Sequence, residues 1–204
     1  RRVPVLAKLE KPQAIENMHE IIDRFDAVMV ARGDLGVELP LEEVPIAQKK
    51  IVEAARTWAK PVVVATQMLE SMASSPRPTR AEASDVANAV IDGTDAVMLS
   101  GETSVGDYPV ETVATMAKIV ENIENNGVEK IAGIDWNPHT TGGIIAKSAA
   151  EVAERLGAKY LLAFTSSGDT ARRLSRLRPT IQPLAFTDRE STAQELALSW
   201  GMYS

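Results

Sequence analysis

Residues 26–38 have the sequence Asp-Ala-Val-Met-Val-Ala-Arg-Gly-Asp-Leu-Gly-Val-Glu. The apolar run at the start predicts a buried parallel strand, and the glycine and carboxylate that follow predict where that strand ends. In α/β folds ligands bind beyond the carboxyl ends of the strands, so an acid directly after such a run indicates site chemistry more than packing. Asp34 is therefore the first candidate site residue.

A second apolar run, at residues 3–10, ends in the same way, with Lys8 and Glu10 two positions apart. Because side chains alternate along a strand, Lys8 and Glu10 share a face. If both strands belong to one parallel sheet, one rim of that sheet presents Lys8, Glu10 and Asp34 together. One ammonium and two carboxylates at that rim would suit a hard divalent cation.

Composition bounds the class of protein. The 204 residues are 45% hydrophobic and 25% charged, which is typical of a soluble globular chain with one large or two small domains. The absence of cysteine fits a reducing cytoplasm and excludes a thiolate metal site, and two histidines leave little for a zinc cage or a histidine triad. The net charge of -6 argues against nonspecific nucleic-acid binding. No apolar stretch approaches the roughly 20 residues that span a bilayer. We expect a cytoplasmic protein with no nucleic-acid or membrane partner, and since residue 1 is not methionine, a chain that begins inside a longer polypeptide.

The apolar pattern predicts four β/α units in succession. Their strands are expected at 3–9, 26–31, 61–66 and 95–100, and their helices at about 12–24, 42–59, 80–91 and 109–125. The phrase Asp-Ala-Val-Met begins both the second and the fourth strand, which indicates either a repeat of β/α units or chance.

The pattern dissolves after residue 126, so the predicted domains are 1–126, a linker at 127–141, and a second α/β domain at 142–204. In the second domain we expect a helix at 142–156, a strand at 159–164, a helix at about 170–177, a strand at 181–186 and a helix at about 191–199. The chain ends where another strand would be due.

Six phrases occur in one order within residues 5–110, and together with residues 140–203 they resemble the pyruvate kinase family. They are Ala7-Lys-Leu-Glu10, Met29-Val-Ala-Arg-Gly-Asp-Leu-Gly36, Ala65-Thr-Gln-Met-Leu-Glu-Ser-Met72, Pro76-Arg-Pro-Thr-Arg-Ala-Glu82, Asp85-Val-Ala-Asn-Ala-Val90 and Met98-Leu-Ser-Gly-Glu-Thr103, followed by Gly106-Asp-Tyr-Pro109. The resemblance implies an α/β fold that holds the last four β/α units of a (β/α)8 TIM barrel, followed by part of a three-layer α/β regulatory domain.

The resemblance also implies an activity, the transfer of phosphoryl from phosphoenolpyruvate to ADP with Mg²⁺ or Mn²⁺ and, in most members, K⁺. Glu10 and Asp34 match the metal ligands, and Lys8 matches the lysine that steadies the transferring group. Thr66 matches a threonine beside the substrate, whose carboxylate the amides of Gly33 and Asp34 could hold. Plainer interpretations stay open: Glu10 and Asp34 could cap helices, Lys8 could pair with the two acids, and Thr66 could be structural.

Residues 164–173 form a predicted strand, a hydroxyl-rich turn and a helix, which match the family's allosteric loop. The match implies a sugar-phosphate or nucleotide effector, whereas Asp169 replaces a basic residue that many relatives carry, so a plain helix cap stays equally open. The candidate effector residues are Thr165, Ser166, Ser167, Gly168 and Thr170.

The family's potassium ligands, most of its ADP contacts and its lid domain belong to the earlier half of the enzyme, so we expect this chain alone to be inactive and the intact protein to be a homotetramer. Two rival functions stay open. One is another barrel enzyme that acts on phosphoenolpyruvate or pyruvate, such as a metal-dependent aldolase or lyase. The other is a noncatalytic piece that binds a phosphorylated metabolite through residues 164–173.

Overall fold

The first domain is built on a four-stranded parallel sheet. The structure, a computed structural model, describes residues 3–131 and 133–204. The sheet order follows the chain order, as in consecutive β/α units of a barrel. Its strands are β1 (Leu6–Leu9), β2 (Ala27–Ala31), β3 (Val62–Ala65) and β4 (Ala96–Met98). The predicted α/β architecture with parallel sheets is confirmed.

Helices connect these strands and follow the last one. They are α1 (Pro12–Glu16), α2 (Met18–Arg24), α3 (Arg32–Glu38), α4 (Val44–Thr57), α5 (Arg80–Asp92), α6 (Gly101–Ser104) and α7 (Pro109–Asn126), with 3-10 turns at Leu41–Glu43, Glu70–Ala73 and Val128–Lys130. The predicted helix at 12–24 is divided at Asn17, whose side-chain amide donates to the Gln13 carbonyl at 2.8 Å. Helices α3 and α6 were not predicted.

The core of this domain lies between the sheet and its connecting helices. All four residues of β3 are buried, as expected for a strand covered on both faces. Val30 and Val64 from the sheet join Ile51 and Val52 of α4 in one cluster of buried side chains. Burial of each such aliphatic side chain contributes about 1.5–3 kcal/mol.

The repeated phrase has a structural reason. Asp26 Oδ2 accepts a hydrogen bond from the Val5 amide at 2.9 Å, and Asp95 Oδ2 accepts one from the Val62 amide at 3.0 Å. The Asp26 and Asp95 amides donate to the carbonyls of those same residues. Each aspartate thus fastens the start of its strand to the neighbouring strand.

The second domain contains α8 (Thr141–Arg155), β5 (Tyr160–Phe164), α9 (Asp169–Ser175), β6 (Gln182–Phe186) and α10 (Glu190–Leu196). Strands β5 and β6 are parallel. Tyr203 forms a parallel bridge with Leu184, at the point where the sequence predicts a further strand. In the described ranges, no helix is both long and apolar enough to cross a bilayer.

The expected linker at 127–141 contains ordered contacts with the second domain. The guanidinium carbon of Arg176 lies over the ring of Trp136, 3.3 Å from the ring centroid. Arg176 Nη1 donates to the Thr57 carbonyl at 3.0 Å, and Arg56 Nη2 donates to the Arg176 carbonyl at 3.1 Å, so arginines from both domains cross the interface. Burial lowers the pKa of both Arg56 and Arg176 to about 10.

Arg178 makes the second link between the domains. Its Nη2 donates to the Gly93 carbonyl at 2.6 Å and lies 3.2 Å from Asp95 Oδ1. Asp95 Oδ1 also accepts from the Trp200 amide at 2.9 Å. The amino end of β4 is therefore tied to the second domain by a buried ion pair.

Candidate functional site

Three of the predicted site residues meet at the carboxyl ends of β1 and β2. Lys8 lies in β1, Glu10 follows that strand, and Asp34 lies in the first turn of α3, which begins directly after β2. Lys8 Nζ is 2.7 Å from Glu10 Oε2 and 3.1 Å from Asp34 Oδ2. The parallel register, which sets Lys8 beside Met29, is what brings the two strand ends to one rim.

The charges at this rim stabilise one another. The close approach of Glu10, and then of Asp34, raises the pKa of the Lys8 ammonium above its usual value. Lys8 in turn lowers the pKa of Asp34. Near neutral pH the rim therefore presents a protonated lysine beside an ionised aspartate. The expected pairing of Lys8 with the two acids is present.

The two carboxylates fit part of a site for a hard divalent cation. Glu10 Oε2 is a buried atom that makes no well-formed hydrogen bond beyond its ion pair with Lys8, whereas the Asp34 side chain is 56% exposed. Across residues 3–131 and 133–204, no group of three or more His, Cys, Asp or Glu side chains is placed to hold a metal. Because Mg²⁺ takes about six oxygen ligands, water and substrate would have to supply the others.

The helix-capping interpretation of the two carboxylates finds no support. The residues that precede α1 and α3, Lys11 and Ala31, make no side-chain capping bond, and the hydrogen bond of Asp34 joins it to Lys8. Lys11 pairs instead with Glu38, at the end of α3.

Thr66 follows β3 in a conformation that the sequence did not predict. Thr66 has a φ of 69° and Gln67 a φ of 53°, so two consecutive residues other than glycine are left-handed. Such a conformation is rare for a β-branched residue, and each instance costs about 1–3 kcal/mol. The Thr66 hydroxyl donates to the Ala65 carbonyl at 2.6 Å and accepts from the Gly33 amide at 2.8 Å.

Gly33 leaves room for this contact. A Cβ at position 33 would lie 3.2 Å from Thr66 Oγ1, which is closer than side chains normally approach. The Gly33 amide is already bound by the Thr66 hydroxyl, so a substrate carboxylate would have to share or replace that bond. The role of the Gly33 amide in substrate binding therefore stays a prediction.

Arg32 is a residue of this region that the sequence analysis did not select. Its side chain is 9% exposed. Its Nη2 donates to the carbonyls of Thr66 at 2.8 Å and Gln67 at 2.9 Å, and its Nη1 lies 2.6 Å from Asp85 Oδ2. The sequence contains one signal that could have identified Arg32, namely an arginine at the end of a buried apolar run. A buried charge requires partners, so such an arginine is expected to bind polar groups nearby.

The loop between β5 and α9 satisfies much of its own hydrogen bonding. Thr165 Oγ1 accepts from the Gly168 amide at 2.9 Å, and Ser167 Oγ accepts from the Asp169 amide at 3.4 Å. Asp169 pairs with Arg173 at 2.6 Å. These bonds stabilise the turn, whereas α9 follows Gly168, with a φ of 80°, without a side-chain capping bond.

The same loop borders an open cleft of about 450 Å³ at the carboxyl ends of β5 and β6. The stacked rings of Phe164 and Phe186, 5.4 Å apart, form one wall. Thr165 and Ser166 line this cleft, whereas Ser167, Gly168 and Thr170 do not. The structure thus divides the candidate effector residues between a cleft and a helix start.

Comparison with known proteins matches both domains. Residues 1–113 match the family described as pyruvate kinase, barrel domain, and residues 144–204 match pyruvate kinase, alpha/beta domain. The pyruvate kinases of Corynebacterium glutamicum and Mycobacterium tuberculosis are each 59% identical over 201 residues, which is 98% of this chain and 42% of theirs. A crystal structure of a pyruvate kinase from Cryptosporidium parvum superposes with a TM-score of 0.91 at 38% identity, over 98% of this chain and 42% of that one. The chain thus spans less than half the length of these relatives.

Proposed function

Because the chain belongs to the pyruvate kinase family, we propose that it takes part in the transfer of phosphoryl from phosphoenolpyruvate to ADP, which gives pyruvate and ATP at the end of glycolysis. The observation that carries this proposal is the cluster of Lys8, Glu10 and Asp34 at one rim of the sheet. It supports the roles that the resemblance assigns to these three residues.

Glu10 and Asp34 would hold Mg²⁺ or Mn²⁺ through carboxylate oxygens. Such a cation polarises the oxygens of a bound carboxylate or phosphate and neutralises their charge. The buried Glu10 Oε2, which is paired with Lys8, and the exposed Asp34 carboxylate would supply one inner and one outer ligand. K⁺ ligands, by the resemblance, are not in this chain.

Lys8 would stabilise the phosphoryl group during transfer. Its side chain is 50% exposed at the rim, and the neighbouring carboxylates of Glu10 and Asp34 raise the pKa of its ammonium. In phosphoryl transfer, charge spreads over the equatorial oxygens, so a fixed cation within reach acts mainly in the transition state. This role predicts a large effect on turnover and a small effect on binding.

Thr66 would act at the substrate, either by orienting its carboxylate or by relaying a proton to the enolate carbon. Its hydroxyl can donate and accept, and it is held between the Ala65 carbonyl and the Gly33 amide. The next amide along, that of Asp34, would help to hold the substrate carboxylate.

The wider setting is proposed from the family. The substrates would be phosphoenolpyruvate and ADP, the location cytoplasmic, and the assembly a homotetramer. A sugar phosphate or nucleotide would bind at the loop of residues 165–170, although the Asp169 carboxylate beside it disfavours a phosphate there.

The test needs a full-length polypeptide that carries this sequence, for example the Corynebacterium relative with its matching 201 residues replaced by those of this chain. In a coupled assay for pyruvate formation, Lys8→Met should lower kcat by roughly three orders of magnitude, which corresponds to about 4 kcal/mol for a well-placed electrostatic contact. Exchange of the methyl protons of pyruvate should survive, because that step needs the metal more than the lysine.

The matched control is Lys118→Met. Lys118 is an exposed lysine of α7, so its loss should leave kcat within about twofold. Near-normal turnover of Lys8→Met would contradict the role of Lys8. A parent polypeptide that forms no pyruvate would contradict the proposed function itself.

A further inference from the structure

We propose that Arg32, anchored by Asp85, is a positioning residue that holds Thr66 and Gln67 in their left-handed conformation and thereby keeps the Thr66 hydroxyl against the Gly33 amide. The effect of Arg32 on turnover rests on the proposed function. Its effect on the backbone of Thr66 and Gln67 is independent of that function.

The conformation that needs support is local and unusual. Thr66 and Gln67 both have positive φ, at 69° and 53°, and neither is a glycine. Strained backbone of this kind persists only where its surroundings overdetermine it, and it is concentrated at functional sites. The residues just after the turn, Met68 and Leu69, are fully buried, so the chain cannot relax outward on that side.

Arg32 binds the turn through its backbone. Nη2 donates to the carbonyls of both left-handed residues, at 2.8 and 2.9 Å, and Nε approaches the Thr66 carbonyl at 3.3 Å. The direction of a carbonyl depends on the backbone angles of its residue, so a return of Thr66 to negative φ would turn this acceptor away from the guanidinium. The bonds and the conformation therefore stabilise each other.

Asp85 fixes the other side of the guanidinium, with Oδ2 2.6 Å from Arg32 Nη1. On the far side of the turn, the buried carboxylate of Glu102 accepts from the Leu69 amide at 3.2 Å and the Ser100 amide at 2.7 Å. The turn is thus held from both ends, and Arg32 is the part that contacts the strained residues themselves.

The link to the site runs through one hydrogen bond. Arg32 immediately precedes Gly33, whose amide donates to Thr66 Oγ1 at 2.8 Å. One short segment therefore carries the residue that holds the Thr66 backbone, the amide that donates to the Thr66 hydroxyl oxygen, and the candidate ligand Asp34. Displacement of Thr66 would break this bond first.

Arg32→Lys in the full-length polypeptide is the direct test. Lysine keeps the charge and can pair with Asp85, but it lacks the planar fork that bridges two carbonyls. We expect exchange of the Gly33 amide hydrogen to accelerate about tenfold or more. We expect kcat to fall about ten- to hundredfold, as a small misplacement of a catalytic group produces. The control is Arg56→Lys, which alters another buried arginine, at the domain interface, and should change neither Gly33 exchange nor kcat.

A rescue separates positioning from a general packing role. Glycine adopts positive φ without strain, so Gln67→Gly should reduce the need for Arg32. In the Arg32→Lys background, Gln67→Gly should raise kcat and slow exchange of the Gly33 amide hydrogen, each by about threefold or more. On its own, Gln67→Gly should leave kcat nearly unchanged.

The outcomes are distinguishable. A folded Arg32→Lys variant with parental Gly33 exchange and kcat within twofold would overturn the inference. If that variant fails to fold, Asp85→Asn, at a side chain that is 41% exposed, should shift Gly33 exchange in the same direction to a smaller degree, and no shift would overturn it. If the parent forms no pyruvate, the proposed function fails and Gly33 exchange alone decides the inference.

Discussion

At the scale of the residue, the rim joins one ammonium to two carboxylates, and the buried Arg32 supports the loop beside it. Lys8, Glu10 and Asp34 follow from two apolar runs that end in charged groups, because the side-chain period of a strand and the parallel arrangement fix where those groups lie. Arg32 could not be assigned in this way. Its partners are carbonyls 34 and 35 positions away, and their direction depends on backbone angles that residue type does not reveal.

The first prediction at this scale concerns the metal. Asp34→Asn in the full-length polypeptide should weaken Mn²⁺ binding by two orders of magnitude or more, because even groups outside the ligand shell contribute about 10–100-fold. Paramagnetic resonance of free Mn²⁺ measures the affinity directly. Glu20→Gln, which removes an exposed carboxylate of α2, should leave the Mn²⁺ affinity unchanged. Parental affinity in Asp34→Asn would exclude Asp34 as a ligand.

At the scale of the element, the alternation of strands and helices is predictable and the short helices are not. Helix α3 contains Gly33 and Gly36 within seven residues, and each glycine lowers helix propensity by about 1 kcal/mol relative to alanine. Such a helix forms because the tertiary structure stabilises it, and no local pattern indicates it. Helix α5 is the opposite case, since Thr79 and Glu82 form a reciprocal capping box that marks its start.

Glu82 also joins α5 to the loop after β3, and this gives a prediction for pH. Burial alone would raise the pKa of Glu82, but hydrogen bonds from Ser71 and Thr79 outweigh it and the net pKa is lowered. The stabilisation is therefore complete above the unfolded-state value of 4.5 and is lost as the pH falls through the lower folded-state pKa. In urea unfolding of the full-length polypeptide, Glu82→Gln should reduce stability at pH 7 and lessen its decline below about pH 4.5.

The control for this prediction is Glu42→Gln, at an exposed acid in a 3-10 turn of the same domain. It should keep the parental pH dependence. A Glu82→Gln variant with the same acid sensitivity as the parent would show that Glu82 is not preferentially ionised in the folded state.

At the scale of the whole molecule, the two domains are coupled by buried arginines. The sequence predicts both domains but treats residues 127–141 as a linker, because the contacts of Trp136 with Arg176 and of Asp95 with Arg178 join residues far apart in the chain. Propensity and periodicity report only on neighbours in sequence, so a long-range ion pair leaves no signal in them.

Arg178→Met should uncouple the domains. It leaves the Asp95 carboxylate buried, and within the described ranges the Val62 and Trp200 amides are its remaining hydrogen-bond donors. Removal of one partner of a buried ion pair costs about 3–5 kcal/mol. In the full-length polypeptide, calorimetry should show an earlier transition for the second domain, separate from that of the barrel. Arg155→Met, at an exposed position of α8, should unfold like the parent, and a single unshifted transition in Arg178→Met would contradict the coupling.

The 204-residue chain on its own should associate with itself. In the part of the chain that the structure describes, β1 pairs with β2 alone and β4 with β3 alone, so the four-stranded sheet has two open edges. Unpaired amides and carbonyls along such edges bind further strands, and a closed barrel has none of them. Val3 and Val5, next to β1, are 72% and 52% exposed and add apolar surface at one edge.

Gel filtration of the 204-residue chain with light scattering should therefore find oligomers or aggregates, and calorimetry should show a broad transition. The full-length polypeptide, which closes the barrel, should behave as a defined species with a sharp transition. A monomeric 204-residue species that unfolds sharply would show that the open edges do not drive association.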